Sequence, residues 1–390
     1  MSLWRITPLD PLVVRDGRPN QGRSESATLP FPFPSTVAGV VRTRIGSDER
    51  GVFDRSVSLD ELRRVGIRGP LLERAVDDAP TEDTLLVVAP RDALILGADG
   101  ARILRALHPL ERHSLAGALM DDGFVGAPVG LDDGEHVDGK VPSDLPVWWR
   151  WKSLSHWLST PRAEANTLSV ADLLADGVRA LPRERRIHVA LGPTRVARES
   201  MLFETEGLRF IDTARSATNN ALSMLVAVDG GPNRTLRSGL GPFAGERRTV
   251  RWAPRSTALP KVPERVRAHL AAERPSARVR VILLTPAHWR EGSVPQLTGS
   301  ENPLGERPGL RVTVDAALVG RPETISGWDF HARAPKGTRR LVPAGSVLWL
   351  TLEGDPAKRC EWLERVWMQN VSDDEASRRD GFGLAVVGVA

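Results

Sequence analysis

The side chains with the widest chemical reach in this 390-residue chain are its arginines. Of 53 basic residues only Lys140, Lys152, Lys261, Lys336 and Lys358 are lysine. A guanidinium is a planar fork that pairs with phosphate and stacks on a base, whereas an ammonium is a point charge. Arginine in place of lysine is also what a GC-rich genome writes, so position says more than the total. The positions are segregated: residues 179–290 carry net +12 and residues 48–139 net −9, inside an overall +4. A basic segment folded onto one face is the footprint of a polyanion site. The acidic segment repels the same ligand and is expected to face elsewhere, toward a protein partner. The competing reading is basic residues scattered over a solvated surface.

Other chemistry is poorly represented. There is no GxxxxGK[ST] phosphate loop, HExxH, GxSxG elbow or EF-hand string. His108 and His113 are five apart with Pro109 between, so they do not share a helical face as an i, i+4 zinc pair does. Cys360 is the only cysteine, which excludes an internal disulfide, a CxxC pair and a four-cysteine zinc site and fits a reducing cytoplasm. No cofactor, metal or small-molecule substrate is expected. No stretch approaches the roughly 20 apolar residues of a membrane span. His188 is the one candidate general base: beside Arg185, Arg186 and Arg195 it could deprotonate an RNA 2'-hydroxyl while a guanidinium steadies the phosphate. Its neighbours Ile187 and Val189 make it equally the opposite face of an alternating strand, and this structural reading is favoured.

The elements that must position these residues are legible in outline. Leu3–Thr7 reads as a strand ended by Pro8. A polar loop with Arg15, Arg18 and Arg23 follows. Pro30–Pro34 is stiff and extended, then Ser35 or Thr36 caps a helix with Val37, Val40, Val41 and Ile45 on its apolar positions, from which Arg42 and Arg44 emerge. Between 48 and 178 the pattern is mixed: helical at Leu59–Val65, strand-like at Thr84–Ala89, a loop at Asp132–Pro142, and Trp148, Trp149 and Trp151, which suit a core or a partner interface better than a base-stacking platform. Strands Ile187–Leu191 and Met201–Phe210 form a hairpin, and Ser223–Val228 is a further strand. Arg234–Arg255 is a Gly/Arg-rich connection. Pro260–Pro263 marks a boundary before a helix at Glu264–Ala272. A second unit then runs through strands Ala277–Leu284 and Leu310–Leu318, a strand pair in Leu341–Leu352, a helix Ala357–Gln369 and a strand Ala385–Val389. Each half approximates a β-α-β-β-α-β plan.

Several strings carry a resemblance. They are Pro8–Pro19 (PLDPLVVRDGRP), Leu29–Thr43 (LPFPFPSTVAGVVRT), the strand Leu202–Phe210, Ile325–Asp329 (ISGWD), Val342–Ser346 (VPAGS) and Gly381–Gly388 (GFGLAVVG). In order and spacing they span nearly the whole chain, which resembles the RAMP-superfamily subunit of the type III-B CRISPR (Cmr) effector that holds the crRNA 5' tag. The family's Gly-Gly-Glu-Gly-Arg-like segment has its nearest match in Gly241–Arg248, with extra bulk between the glycines.

That resemblance implies an α+β protein of two ferredoxin-like (RRM-like) domains packed together: residues 1–258, carrying an insertion at about 48–178, and residues 259–390, with a Gly-rich loop. It implies a noncatalytic, RNA-binding scaffold, a ribonucleoprotein subunit in antiviral defence. The partners it implies are the crRNA 5' tag, the large polymerase-like subunit and an adjacent RAMP backbone subunit. The expected RNA contacts are Arg15, Arg18, Arg42, Arg195, Arg198, Arg234, Arg237, Arg247 and Arg248. Gly381 and Gly383 join them, with amides open to phosphate. The alternative is a metal-independent endoribonuclease that processes repeat RNA with His188 as base. A third reading is a protein-assembly module whose basic face meets an acidic partner.

Overall fold

A computed structural model describes residues 1–15, 25–26, 28–76, 79, 81–98, 101–110, 126–131, 139–161, 164, 167–216, 220–230, 235–299, 301–329 and 334–390. Its architecture is α+β with mainly antiparallel sheets. The main sheet has the strand order Gly239–Phe243, Arg248–Arg255, Ser2–Pro8, Leu222–Asp229, Gly66–Arg74, Leu85–Val88 and Trp148–Arg150. Alternation along Ser2–Pro8 decides what lies on each face. Leu3 enters the larger apolar core, while Trp4 and Ile6 enter a second core beneath the first helix. That helix, Pro34–Ile45, is capped at Phe33, two residues ahead of Ser35 and three ahead of Thr36, the expected caps. Pro34, with its fixed φ and no N–H to leave unsatisfied, takes the first helical position. Val37, Ala38, Val41 and Ile45 form its buried stripe.

The second sheet has the order Leu310–Leu318, Val347–Gly354, Ser276–Leu283, Leu384–Val389 and Gln369–Asn370. Four strands of each sheet share one order by position in the chain: fourth, first, third, second. In the first half they are Arg248–Arg255, Ser2–Pro8, Leu222–Asp229 and Gly66–Arg74. In the second they are Leu384–Val389, Ser276–Leu283, Val347–Gly354 and Leu310–Leu318. Each set differs from the expected plan by one helix. Among the described residues the first set has a strand, Gly239–Phe243, where a second helix was expected; the second set keeps the Pro356–Val366 helix but has an irregular 284–309 connection in place of the other.

Three expectations are corrected. Residues 48–178 are not simply an insertion, because Gly66–Arg74, Leu85–Val88 and Trp148–Arg150 are strands of the main sheet. The Arg234–Arg255 connection contains a hairpin, Gly239–Phe243 with Arg248–Arg255. Leu341–Leu352 holds two strands that are not each other's partners, since Ala334–Leu341 pairs with Glu323–Asp329 while Val347–Gly354 lies in the second sheet. Leu341 and Val342 are buried all the same, and the bend at Pro343–Gly345 lets the chain change sheets.

Trp148, Trp149 and Trp151 are all buried. The larger core joins Leu71, Trp149 and Trp157 to Val281, Leu350 and Trp367, so the two halves share one interior. A buried charge pair lies in it. Asp92 accepts from Trp157 Nε1 (3.0 Å) and Arg280 Nη1 (2.6 Å), and the Arg280 guanidinium lies 4.9 Å from the Trp157 ring centroid.

Candidate nucleic-acid interface

The last turn of the first helix, residues 47–51 and the Gly239–Arg255 hairpin enclose a cleft of about 790 Å³. Arg44 leaves the helix into it and stacks on Trp252, with Cζ 5.3 Å from the ring centroid. Its Nε donates to the carbonyl of Arg237 (2.8 Å), Nη1 to Leu240 (3.2 Å) and Nη2 to Ser238 (2.9 Å). Arg237 answers from the hairpin side, donating to the carbonyls of Ser47 and Asp48. Among the described residues these two guanidiniums have no carboxylate partner and fasten loop to helix through carbonyls, which leave their charge in place. Burial first, and then the charge of Arg237, hold the Arg44 pKa below its ordinary value.

Two features shape this cleft. Trp252 is 1% exposed and its Nε1–H, which has no acceptor among the described residues, is closed to solvent, so the indole serves the cleft as the plane under Arg44. Gly241 lies against Arg44, and a Cβ there would be 2.3 Å from Nη1, so only glycine lets the guanidinium lie flat along the hairpin. Arg247 is exposed on the cleft wall. Asp48 and Glu49 also line it, but the Asp48 carboxylate accepts from the amides of Arg50 (2.9 Å) and Val52 (2.8 Å) in its own loop.

The hairpin turn carries the basic surface past the cleft. Ala244, Glu246 and Arg247 have φ of 51°, 56° and 50°, a left-handed run that non-glycine residues rarely adopt. Gly245 N–H donates to Val13 O (3.0 Å), which brings Arg15 beside the turn. Arg15 then lies 3.8 Å from Glu246, and Arg248 2.6 Å from the same carboxylate. Arg15, Arg237, Arg247 and Arg248 are therefore assembled around one hairpin.

Of the other expected contacts, Arg42, Arg195, Gly381 and Gly383 go elsewhere. Arg42 is two residues from Arg44, about 200° around the helix. It faces the C-terminal half, where it pairs with Asp380 (2.5 Å) and donates to Val65 O. Gly381 and Gly383 are corrected as phosphate contacts. Their amides donate to Arg378 O (3.0 Å) and Pro286 O (2.7 Å), and both residues are buried. Arg195 occupies the turn of the long hairpin formed by Arg183–Leu191 and Ala197–Leu208, with φ 60°. Arg198 is in its second strand, but its side chain lies outside the described residues, as do Arg18 and Arg234 altogether. His188 bonds Thr205 Oγ1 through Nε2 (2.7 Å) and stacks on Phe203, with centroids 5.2 Å apart. Arg185 and Arg186 beside it are paired with Glu204 and Glu184.

Arg44 and Trp252 were missed as site residues. Arg44 had a signal in the sequence, since helical geometry sends it and Arg42 to opposite faces. Trp252 had none, because Arg234–Arg255 reads as a Gly/Arg-rich connection and not as the hairpin that holds the indole. The long hairpin also exposes an apolar surface, with Ile187 77% and Leu202 67% accessible.

No curated protein matches the chain. Among solved structures it is similar to a chain of the type III-B Cmr-beta bound to cognate target RNA and AMPPnP (14% identity, 89% of this chain and 86% of that chain covered, TM-score 0.46). A second similarity is to a chain of Cmr-beta bound to cognate target RNA, with the same identity and coverage and a TM-score of 0.45. A family model described as CRISPR-associated protein (Cas_Cmr3) matches residues 4–390. With nearly its whole length matched, this chain belongs to the Cas_Cmr3 family of CRISPR-associated proteins.

Proposed function

We propose that this protein is a noncatalytic RNA-binding subunit of a type III-B CRISPR effector, holding the 5' tag of crRNA. In that assembly it contacts the large polymerase-like subunit and an adjacent RAMP backbone subunit. The observation that carries this reading is the cleft in which Arg44, Arg237 and Arg247 meet, without a paired carboxylate among the described residues, beside the Trp252 plane. Phosphodiesters offer acceptors and negative charge together, which suits that set of donors. Arg15 and Arg248 extend the track along the strand, and Glu246 between them keeps it from being uniformly basic. Single-stranded RNA is gripped in this way through its backbone, with splayed bases stacked on neighbouring planes.

We read residues 1–258 and 259–390 as two variants of the ferredoxin-like plan, supported by the strand order that the two sheets share. The exposed apolar side chains of the long hairpin are the kind of surface a protein partner covers.

The test is RNA binding measured across a salt series with tagged and untagged guide RNA. Three phosphate contacts at the cleft give a log–log slope of about −2 for single strands. Tagged RNA is expected to bind more tightly, and Arg247→Ala to make the slope shallower by about 0.7. Salt-independent binding, or equal affinity for the two RNAs, defeats the proposal. Incubation of the protein with repeat RNA in EDTA separates it from the nuclease reading: cleavage that leaves 2',3'-cyclic phosphate ends and is lost in His188→Ala would replace the scaffold with an enzyme.

A further inference from the structure

At the other end of the first helix, a second cleft of about 530 Å³ opens between the two halves of the chain. Its volume is in the range of small-ligand sites, and a junction between units is where such sites are common. Prolines make much of its wall, among them Pro30, Pro70, Pro286 and Pro343. Phe31 adds a half-buried ring, held at 4.7 Å from the Trp148 ring. These are rigid, flat, apolar surfaces.

Three charged residues interrupt that surface, and one of them, Arg183, is already paired with Glu206 (3.1 Å). Glu323, from the second half, has no hydrogen bond or ion pair for its carboxylate among the described residues, and burial raises its pKa against the opposing effect of Arg91. Arg91, from the first half, lies across Gly320, where a Cβ would be 2.3 Å from its Cζ, and its guanidinium too is without a partner among the described residues. The two do not come within ion-pair distance of each other. A half-buried acceptor and an exposed donor fork thus face one apolar slot, and neither has a hydrogen-bond or ion-pair partner among the described residues.

A planar ligand with a double donor on one edge and acceptors on another would satisfy both. Guanine has this pattern: N1–H and N2–H₂ present two donors to a carboxylate, while O6 and N7 form the acceptor pair that arginine reads bidentately. Adenine has one amino donor and no acceptor pair; uracil and cytosine are smaller and lack the double donor. We propose that this interdomain cleft binds a guanine base, with Glu323 on its N1/N2 edge and Arg91 on its O6/N7 edge, whether the base comes as a free nucleotide or within an RNA strand.

The inference does not depend on the basic cleft, which lies at the opposite end of the helix, and the test keeps the two apart. Binding of GMP, IMP and AMP to the full chain is measured by calorimetry, and binding of short oligoribonucleotides differing in one G-to-A exchange by anisotropy. GMP is expected to bind most tightly. IMP, which lacks the N2 amine, should be weaker by roughly tenfold, and AMP weaker still. Glu323→Gln, which keeps the side-chain shape, should abolish the GMP-over-IMP preference, and Arg91→Ala should weaken both; a thermal melt superimposed on that of the parent shows that each variant folds. Preference for the oligonucleotide alone, with GMP unbound but guanine still favoured, identifies the strand as the source. Equal affinity for all bases, or a preference for GMP that survives Glu323→Gln, overturns the proposal. Loss of discrimination with salt-dependent RNA binding intact removes this site and leaves the basic cleft standing.

Discussion

Arginine plays two opposite parts in this molecule, and the contrast separates structure from function. In the interior and at the junction of the halves, several guanidiniums meet carboxylates: Arg280 with Asp92, Arg5 and Arg255 with Glu73, Arg42 with Asp380. Arg359, fully buried, donates instead to the carbonyls of Leu270, Ala272 and Arg274, so it is carbonyl partners at an open cleft, not carbonyl partners alone, that make the contrast. In the hairpin cleft, Arg44 and Arg237 meet only backbone carbonyls, and Arg247 stands on the wall. A carbonyl positions a guanidinium but leaves its charge in place, whereas a carboxylate cancels it. The first group therefore holds the fold, and the second is available to an anion.

The sharpest way to break this contrast is to remove one partner of the deepest pair. Asp92→Ala strands the Arg280 charge and the Trp157 N–H in the shared core. An uncompensated buried charge is worth about 3–5 kcal/mol of destabilisation. Urea denaturation should show a loss of that size. A loss below about 1 kcal/mol would mean that the pair is solvated and the comparison wrongly drawn.

The next effect belongs to the junction itself. Gly381 has φ 94°, and a Cβ there would lie 2.6 Å from Gly69 O and 2.9 Å from Ile67 Cγ1. Gly381→Ala is thus expected to cost about 2–3 kcal/mol through backbone strain and contact with atoms that cannot move away. RNA affinity under folded conditions should stay unchanged, because the glycine amide is already bonded within the chain. A selective loss of RNA binding would restore the phosphate-facing loop that the fold removes.

How much of this was readable beforehand follows from what local pattern can encode. Alternation and turn residues gave the long hairpin, the first strand and the terminal strand, since these rest on neighbours in sequence. Helical spacing gave the first helix. Strand Gly66–Arg74 was missed because it is buried on both faces and lacks a clear alternation. Charge counting indicated a basic segment, and three of its expected contacts, Arg237, Arg247 and Arg248, lie around one hairpin together with Arg15 from the first loop. It could not distinguish an arginine beside a carboxylate from one beside a carbonyl, because Asp380 is 338 residues from Arg42. Gly381 illustrates the same limit: a close backbone approach was the expectation, but the surface it meets, the Gly69 carbonyl, is set by tertiary packing.

Substituting one arginine of each kind sharpens the contrast further. Arg42→Ala removes a half-buried pair and two bonds to Val65 O, so stability should fall by about 1.5 kcal/mol with little change in the salt slope of RNA binding. Arg247→Ala should do the reverse. An exposed arginine in a turn contributes within about 0.5 kcal/mol to stability, whereas loss of one phosphate contact makes the slope shallower. If both variants shift stability and slope together, the division between paired and unneutralised arginines does not hold.

The smallest expected change in stability is at the long hairpin, where the contrast extends to apolar groups. Ile187, Val189 and Leu202 lie on one face of its two strands, with Val189 directly opposite Leu202. Side chains as exposed as Ile187 and Leu202 bury little area on folding, and hydrophobic stabilisation scales with the area removed from water. Ile187→Ser with Leu202→Ser should therefore alter the unfolding free energy by less than about 0.5 kcal/mol. The same pair should reduce incorporation into an effector complex, read as the fraction of the chain that co-elutes with the other subunits on size exclusion, because a covering partner would supply the missing burial. RNA affinity of the isolated chain provides the control, since neither residue carries charge. Undiminished incorporation would leave the hairpin as an exposed arm with no part in assembly, and would confine the functional surface to the cleft where the arginines keep their charge.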